Sequence, residues 1–122
     1  MKLENKPLQN KSYEFALEIV KVGRKLMKKE KEYILSKQLI RSGTSVGANI
    51  VEANGAISKA DFSAKISIAY KECLESKYWL SILKDCGDLV EEEFEQLFKR
   101  ADEIAKILFS ILKTTRIKKQ SR

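Results

Sequence analysis

The chain has 122 residues, a formal net charge of +7 with 34% of its residues charged, no His, one Pro and five Gly. That length suits one domain with a single core, and so few turn formers exclude a fold of many short strands, which leaves an all-α class. No stretch approaches the roughly 18 to 20 apolar residues of a membrane span, and the opening MKLENKPLQ has no apolar leader region, so a cytoplasmic protein without a membrane role is expected.

Apolar residues recur three and four apart in four stretches, each the mark of a helix with one buried side. The first stripe is Leu8, Phe15, Ile19, Val22 and Leu26, with Pro7 near its start and Lys25, Lys28 and Lys29 suiting the negative helix end, which predicts a helix over about 8–29. Glu30 to Tyr33 form a polar connector. Leu39, Gly43, Val46, Ile50, Ala53 and Ile57 then make a second stripe, on a helix over about 34–54. Asn54 and Gly55 both tolerate the left-handed conformation and offer a stop.

Ser58 followed by Asp61 resembles a capping box, so a third helix is expected over about 59–86, with the unbroken stripe Phe62, Ile66, Ala69, Cys73, Ser76, Leu80 and Leu83. Gly87 is its predicted left-handed cap. Asp88 and Glu91 to Glu93 suit the positive start of a fourth helix over about 89–113, with the stripe Phe94, Leu97, Ala101, Ile104, Leu108 and Ile111. A basic tail, 114–122, is expected to fray. Four such helices joined by short connectors predict an up-down-up-down antiparallel four-helix bundle forming one domain over 1–122.

Candidate chemistry is sparse. The lack of His removes the commonest general base and metal ligand, and no Ser-His-Asp or Cys-His pair is possible. Cys73 and Cys86 share one helix about 20 Å apart, too far for a disulfide, and Cys73 takes a core position. Glu72-x-x-Glu75 imitates a di-iron motif, but Glu52 falls roughly 15 Å from Glu72 along the axis. Pairing of Glu52 with Lys65, and of Glu72 with Arg41 or a serine of the second helix, is expected instead. No enzyme, cofactor or metal is predicted.

The ten residues Ser42 to Val51 are the longest uncharged run. Within it, Gly43 and Gly47 each cost a helix about 1 kcal/mol relative to Ala, so something must offset them. With Ser42, Ser45 and Ala48 they make a smooth surface that admits another backbone closely. Because a bundle core covers one side only, a second subunit is one expected cover, and Tyr78 and Trp79, off the stripe of the third helix, extend that interface hypothesis. The alternative is that these aromatics, and Tyr70, pack across neighbouring helices of the same bundle. Asn49 and Glu52 are expected to act as polar locks toward the third helix.

Ser45, Ala48-Asn49-Ile50 and Glu52-Ala53, followed by Ser58, Asp61-Phe62, Lys65, Ile68-Ala69, Glu72, Glu75 and Tyr78-Trp79-Leu80, resemble the four-helix-bundle family of the 23S rRNA intervening-sequence proteins. Leu39, Arg41 and the turn from Gly87 into Glu91 to Phe94 also fit. The resemblance implies a bacterial up-and-down bundle related to the accessory variability determinant of diversity-generating retroelements. Members of that wider group form homopentamers, bind RNA or DNA through basic surfaces and, in the retroelement case, partner a reverse transcriptase. Most have no established biochemical function. Ala56 and Ile57 stand where relatives often carry basic residues, which argues against a nucleic-acid surface at that loop.

Charge is uneven along the chain: Lys21 to Arg41 hold eight basic and two acidic residues, whereas Asp85 to Glu95 hold six acidic and none basic. Antiparallel topology brings these two connectors to one end, where they are expected to neutralise one another in part. Nucleic-acid contacts are therefore expected along Lys21, Arg24, Lys25 and Lys28, and at the far end from Lys59, Lys113, Arg116, Lys118, Lys119 and Arg122, reading phosphate and not base sequence. The competing readings are a solvated lysine surface and a protein-interaction adaptor whose charge is incidental.

Overall fold

The computed structural model describes the backbone of residues 6–120 and the side chains of residues 6–115. Four helices follow in chain order: α1 (Pro7–Lys29), α2 (Ile34–Asn54), α3 (Lys59–Asp85) and α4 (Glu91–Gln120). Each packs against its neighbours in sequence, and α4 closes the ring on α1, with no diagonal helix contacts among the described residues. The fold is thus the predicted antiparallel bundle. The fourth helix differs from expectation at both ends, starting at Glu91 and continuing through much of the predicted tail to Gln120.

Local chemistry sets the helix ends. Pro7 takes a first-turn position in α1, where its missing N–H leaves no bond unmade. Ser58 Oγ accepts from Asp61 N at 3.0 Å, while Asp61 Oδ2 accepts from Ile57 N at 3.2 Å, a reciprocal cap on α3. At the other end of α3, Gly87 adopts φ +84, Asp88 N donates to Leu83 O and Gly87 N to Lys84 O. This Schellman closure folds Asp88 and Leu89 into the connector and delays α4 to Glu91. Gly55, by contrast, has φ −101, so α2 stops without the left-handed turn that Asn54-Gly55 suggested. There Asn54 Nδ2 instead donates to Gln9 Oε1 at 2.7 Å, tying the end of α2 to the start of α1.

The core collects the predicted stripes. Phe15, Ile19, Leu39, Val46, Cys73, Leu80, Leu83, Ile104 and Leu108 are fully buried. Ile57 departs from its stripe and is 94% exposed, because α2 ends before the stripe reaches it.

The uncharged run of α2 is covered on two sides, both within the chain. A Cβ on Gly43 would lie 2.7 Å from Ile19 Cγ2, and one on Gly23 would lie 2.5 Å from Ile40 Cγ1, so isoleucines of each helix fill glycine notches of the other. Gly47 faces the Ser12 backbone at 3.5 Å. On the other flank Ser76 Oγ lies 2.9 Å from Ser42 Oγ, bringing α3 close. The expected subunit contact at Gly43 and Gly47 is therefore corrected: the backbone that approaches them is α1. Asn49 is also corrected, since it donates to Ser45 O at 2.8 Å and Ser45 Oγ at 3.0 Å within α2 and does not reach α3.

Glu32 caps α2. Its Oε1 accepts from Ser36 N at 2.7 Å and Ser36 Oγ at 3.0 Å, and its Oε2 accepts from Leu35 N at 3.2 Å. Desolvation pushes this carboxyl up, but the hydrogen bonds from Ser36 and Leu35 together outweigh it, leaving the group below the usual carboxylate range. A lowered folded pKa gives stability that is complete above the unfolded value and is lost as pH falls through the folded one.

Two predictions follow from this packing. Gly43→Ala should destabilise by about 1–2 kcal/mol despite better helix propensity, because fully buried Ile19 has no room to shift, whereas Gly47→Ala should stabilise by about 0.5–1 kcal/mol. Thermal melts showing both substitutions moving in the same direction would contradict the notch geometry. Glu32→Ala should cost about 1 kcal/mol near neutral pH, and urea titrations should show that deficit shrinking as pH falls through and below the usual carboxylate range.

Candidate nucleic-acid interface

Helical phase distributes the basic residues of α1. Lys25 turns toward α4 and its Nζ lies 2.9 Å from Glu93 Oε2, while Lys21 lies 3.6 Å from Glu18 in the preceding turn. Arg24 and Lys28 are exposed and have no carboxylate within ion-pair distance among the described residues. Neither is among the ion-pair partners of the acidic run Glu91 to Glu93. That run instead meets Lys25 and Lys84, the latter 3.6 Å from Glu91 and 4.6 Å above the Phe94 ring.

The structure adds a residue that sequence reasoning missed. Ser36 O lies 3.6 Å from the Cβ position of Gly23, which sets Lys37 of α2 level with Arg24 of α1. Lys37 is exposed and likewise unpaired. Arg24 and Lys37 thus stand level on two packed helices, with Lys28 about one turn further along α1. Nothing in the linear pattern links Lys37 to Arg24; the glycine notch does.

The far-end residues are more scattered. Lys59 is exposed in the first turn of α3, on the rim of an open concavity of about 790 Å³ lined by Ala53, Ala56, Ile57, Ala60 and Phe62. Lys113 is exposed on α4. Arg116, Lys118 and Lys119 belong to the last turns of α4, but their side chains, and Arg122 altogether, lie outside the described residues.

Between α2 and α3 runs a polar seam. Lys65 Nζ lies 3.1 Å from Glu52 Oε1, and Arg41 Nη1 lies 3.0 Å from Glu72 Oε2 and also bonds Glu75 through Nη2. The Trp79 indole N–H donates to Glu75 Oε1 at 3.1 Å, and the half-buried ring packs on the core. Trp79 therefore works within the chain. Tyr78, edge-on to it at 5.3 Å, is 60% exposed and faces out with Leu74 and Ile68. Tyr70 packs on Phe109 of α4 at 5.8 Å.

For covalent chemistry the groups are poorly placed. Burial pushes the Cys73 thiol up to about 12, and its S–H donates to Ala101 O at 3.0 Å, so it is a core group and not a nucleophile. Among the described residues no three His, Cys, Asp or Glu side chains gather as a metal site, and no helix is long and apolar enough to cross a membrane.

These features define an antiparallel four-helix-bundle protein that carries exposed cations without carboxylate partners on its first helix pair. The chain belongs to the 23S rRNA-intervening sequence protein family, whose model matches residues 4–110. A crystal structure from Bacteroides thetaiotaomicron, described as a protein of unknown function from the S23 ribosomal protein family, is similar at 45% identity and a TM-score of 0.86, over 87% of this chain and 98% of that one. No curated protein matches.

The Arg41 bridge supports a test of the α2–α3 seam. Arg41→Ala leaves Glu72 and Glu75 facing each other without their shared cation and should cost about 1 kcal/mol, with Trp79 emission shifting as its Glu75 acceptor is freed. Unchanged stability and emission would show that the network carries no energy.

Proposed function

We propose that this protein is a non-enzymatic, oligomeric bundle that binds nucleic acid through its phosphates without reading base sequence. The observation that supports the reading is that Arg24 and Lys28 of α1 and Lys37 of α2, level with Arg24, are exposed and without a carboxylate partner, whereas their neighbours Lys21, Lys25 and Arg41 are ion-paired. Cations already bound to carboxylates have little to offer a phosphate; unpaired ones exchange condensed counterions for contact and gain the associated entropy. The +7 charge steers a polyanion toward any such face. The family's description, tied to rRNA insertions, is in keeping with this reading.

A second surface favours association between proteins. Ile68, Leu74 and Tyr78 are each more than two-fifths exposed on the outward side of α3, opposite the core. Self-association there would multiply the basic faces and strengthen binding by multivalency. In the adaptor reading, the same surface instead receives a different protein, such as a reverse transcriptase, and the cations only keep the bundle soluble.

Fluorescence anisotropy with labelled structured RNA and DNA decides between them. Affinity should fall linearly on a log–log plot against salt. Absent or salt-insensitive binding at low ionic strength would overturn the nucleic-acid reading. Light scattering should return a mass above that of one chain, and a monomer would remove the oligomer.

A further inference from the structure

We propose that the two ends of the bundle are complementary docking surfaces for a second copy of the chain. The α3–α4 connector of one copy, led by Val90, seats in the concavity beside Ile57 of the next, and copies add end to end.

Exposed apolar side chains point to the ends. Ile57, Ile34 and Val90 are the most exposed large apolar residues among those described, at 94%, 77% and 62%, and none of them lies along a side of the bundle. Ile34 opens α2 and Val90 immediately precedes α4, at one end; Ile57 follows α2 at the other. Beside Ile57 lies the open concavity of about 790 Å³, with apolar walls of Ala53, Ala56, Ala60 and Phe62. One end thus offers knobs and the other a hollow.

Charge on the α3–α4 edge has opposite sign at the two ends. Around Val90, Asp85, Glu92 and Glu95 are exposed and have no ion-pair partner among the described residues. The concavity has Lys59 and no carboxylate among its described lining residues, and Lys113 is exposed on α4 two residues before Thr115 of the far wall. The carboxylates of that end are engaged, Glu52 by Lys65 and Asp61 by the cap of α3. Lys28, Lys29 and Lys31 belong to the α1–α2 connector, on the opposite edge from Val90.

Topology aligns the two surfaces. Because α3 and α4 carry both the connector and, through Phe62 and Thr115, walls of the concavity, a copy shifted along the bundle axis by the length of α3, about 40 Å, brings one onto the other. The same shift sets Ile34 below Ala56 and Ile57. The end of four packed helices measures roughly 20 Å by 20 Å, so the contact buries about 800 Å² in all, less than stable complexes bury. Association is therefore weak, and a head-to-tail contact made by a shift does not close, so chains grow with concentration.

The test is sedimentation equilibrium at low salt in a Tyr78→Glu background, which removes the α3 surface from the measurement. The average mass should climb from micromolar to millimolar protein without settling at a fixed multiple, and fall as salt is added. Val90→Asp and Ile57→Asp should each hold the mass at that of one chain. Mixed in equal amounts, these two variants should stop at twice that mass, since the first keeps its concavity and the second its connector. Both positions are exposed, and circular dichroism checks that each variant keeps its helices. A constant mass with both ends intact, growth that survives either substitution, or a mixture that stays monomeric overturns the inference. Arg24, Lys28 and Lys37 are untouched throughout, so the nucleic-acid reading stands or falls separately.

Discussion

The close approach of α1 and α2 is the constraint on which the other features depend. Gly23 and Gly43 each receive an isoleucine from the opposite helix, at separations that no added Cβ would tolerate without movement. Two glycines in helix interiors weaken each helix taken alone by about 1 kcal/mol apiece. The burial of Ile19 and the contact of Ile40 against bare backbone offset that loss. Register follows from the same notches, because an isoleucine fits only where a glycine faces it.

The opposite flank of α2 is joined differently. Toward α3 polar contacts join the shared apolar core: Ser42 against Ser76 in the interior, then Arg41 with Glu72 and Glu75, and Lys65 with Glu52 at the margins. Every buried side-chain polar atom among the described residues has a partner, so the seam orients the helices without stranding a donor or acceptor. Hydrogen bonds and ion pairs are directional where apolar contacts are not. With the buried stripe Ile66, Ala69, Cys73, Leu80 and Leu83 facing the core, the seam is consistent with a rotation of α3 that leaves Tyr78 outside and Trp79 half-buried.

Much of the family-defining pattern, including Ser45, Asn49, Glu52, Lys65, Glu72 and Glu75, lies on this seam or within α2 beside it. Those residues maintain geometry. The cations proposed to meet a polyanion, Arg24, Lys28 and Lys37, are set apart from them, on α1 and the flank of α2 that packs on it. Division of labour of this kind explains how a chain can be assigned readily to a family while its activity is sought in residues outside the diagnostic stretch.

Helix number, order and most of the core were legible in the sequence, because a period of 3.6 residues and the capping chemistry of Ser58, Asp61 and Gly87 are local properties written along one dimension. Sequence also showed that Gly43 and Gly47 demanded a close neighbour. Which neighbour was a tertiary decision: facing surfaces are chosen by the bundle as a whole, and α1 took the place expected of another subunit. The side chain of Asn49 likewise turned to Ser45, four residues back on its own helix. Lys37 is the clearest case. Thirteen positions separate it from Arg24 in sequence, and the glycine notch between their helices is what sets the two level.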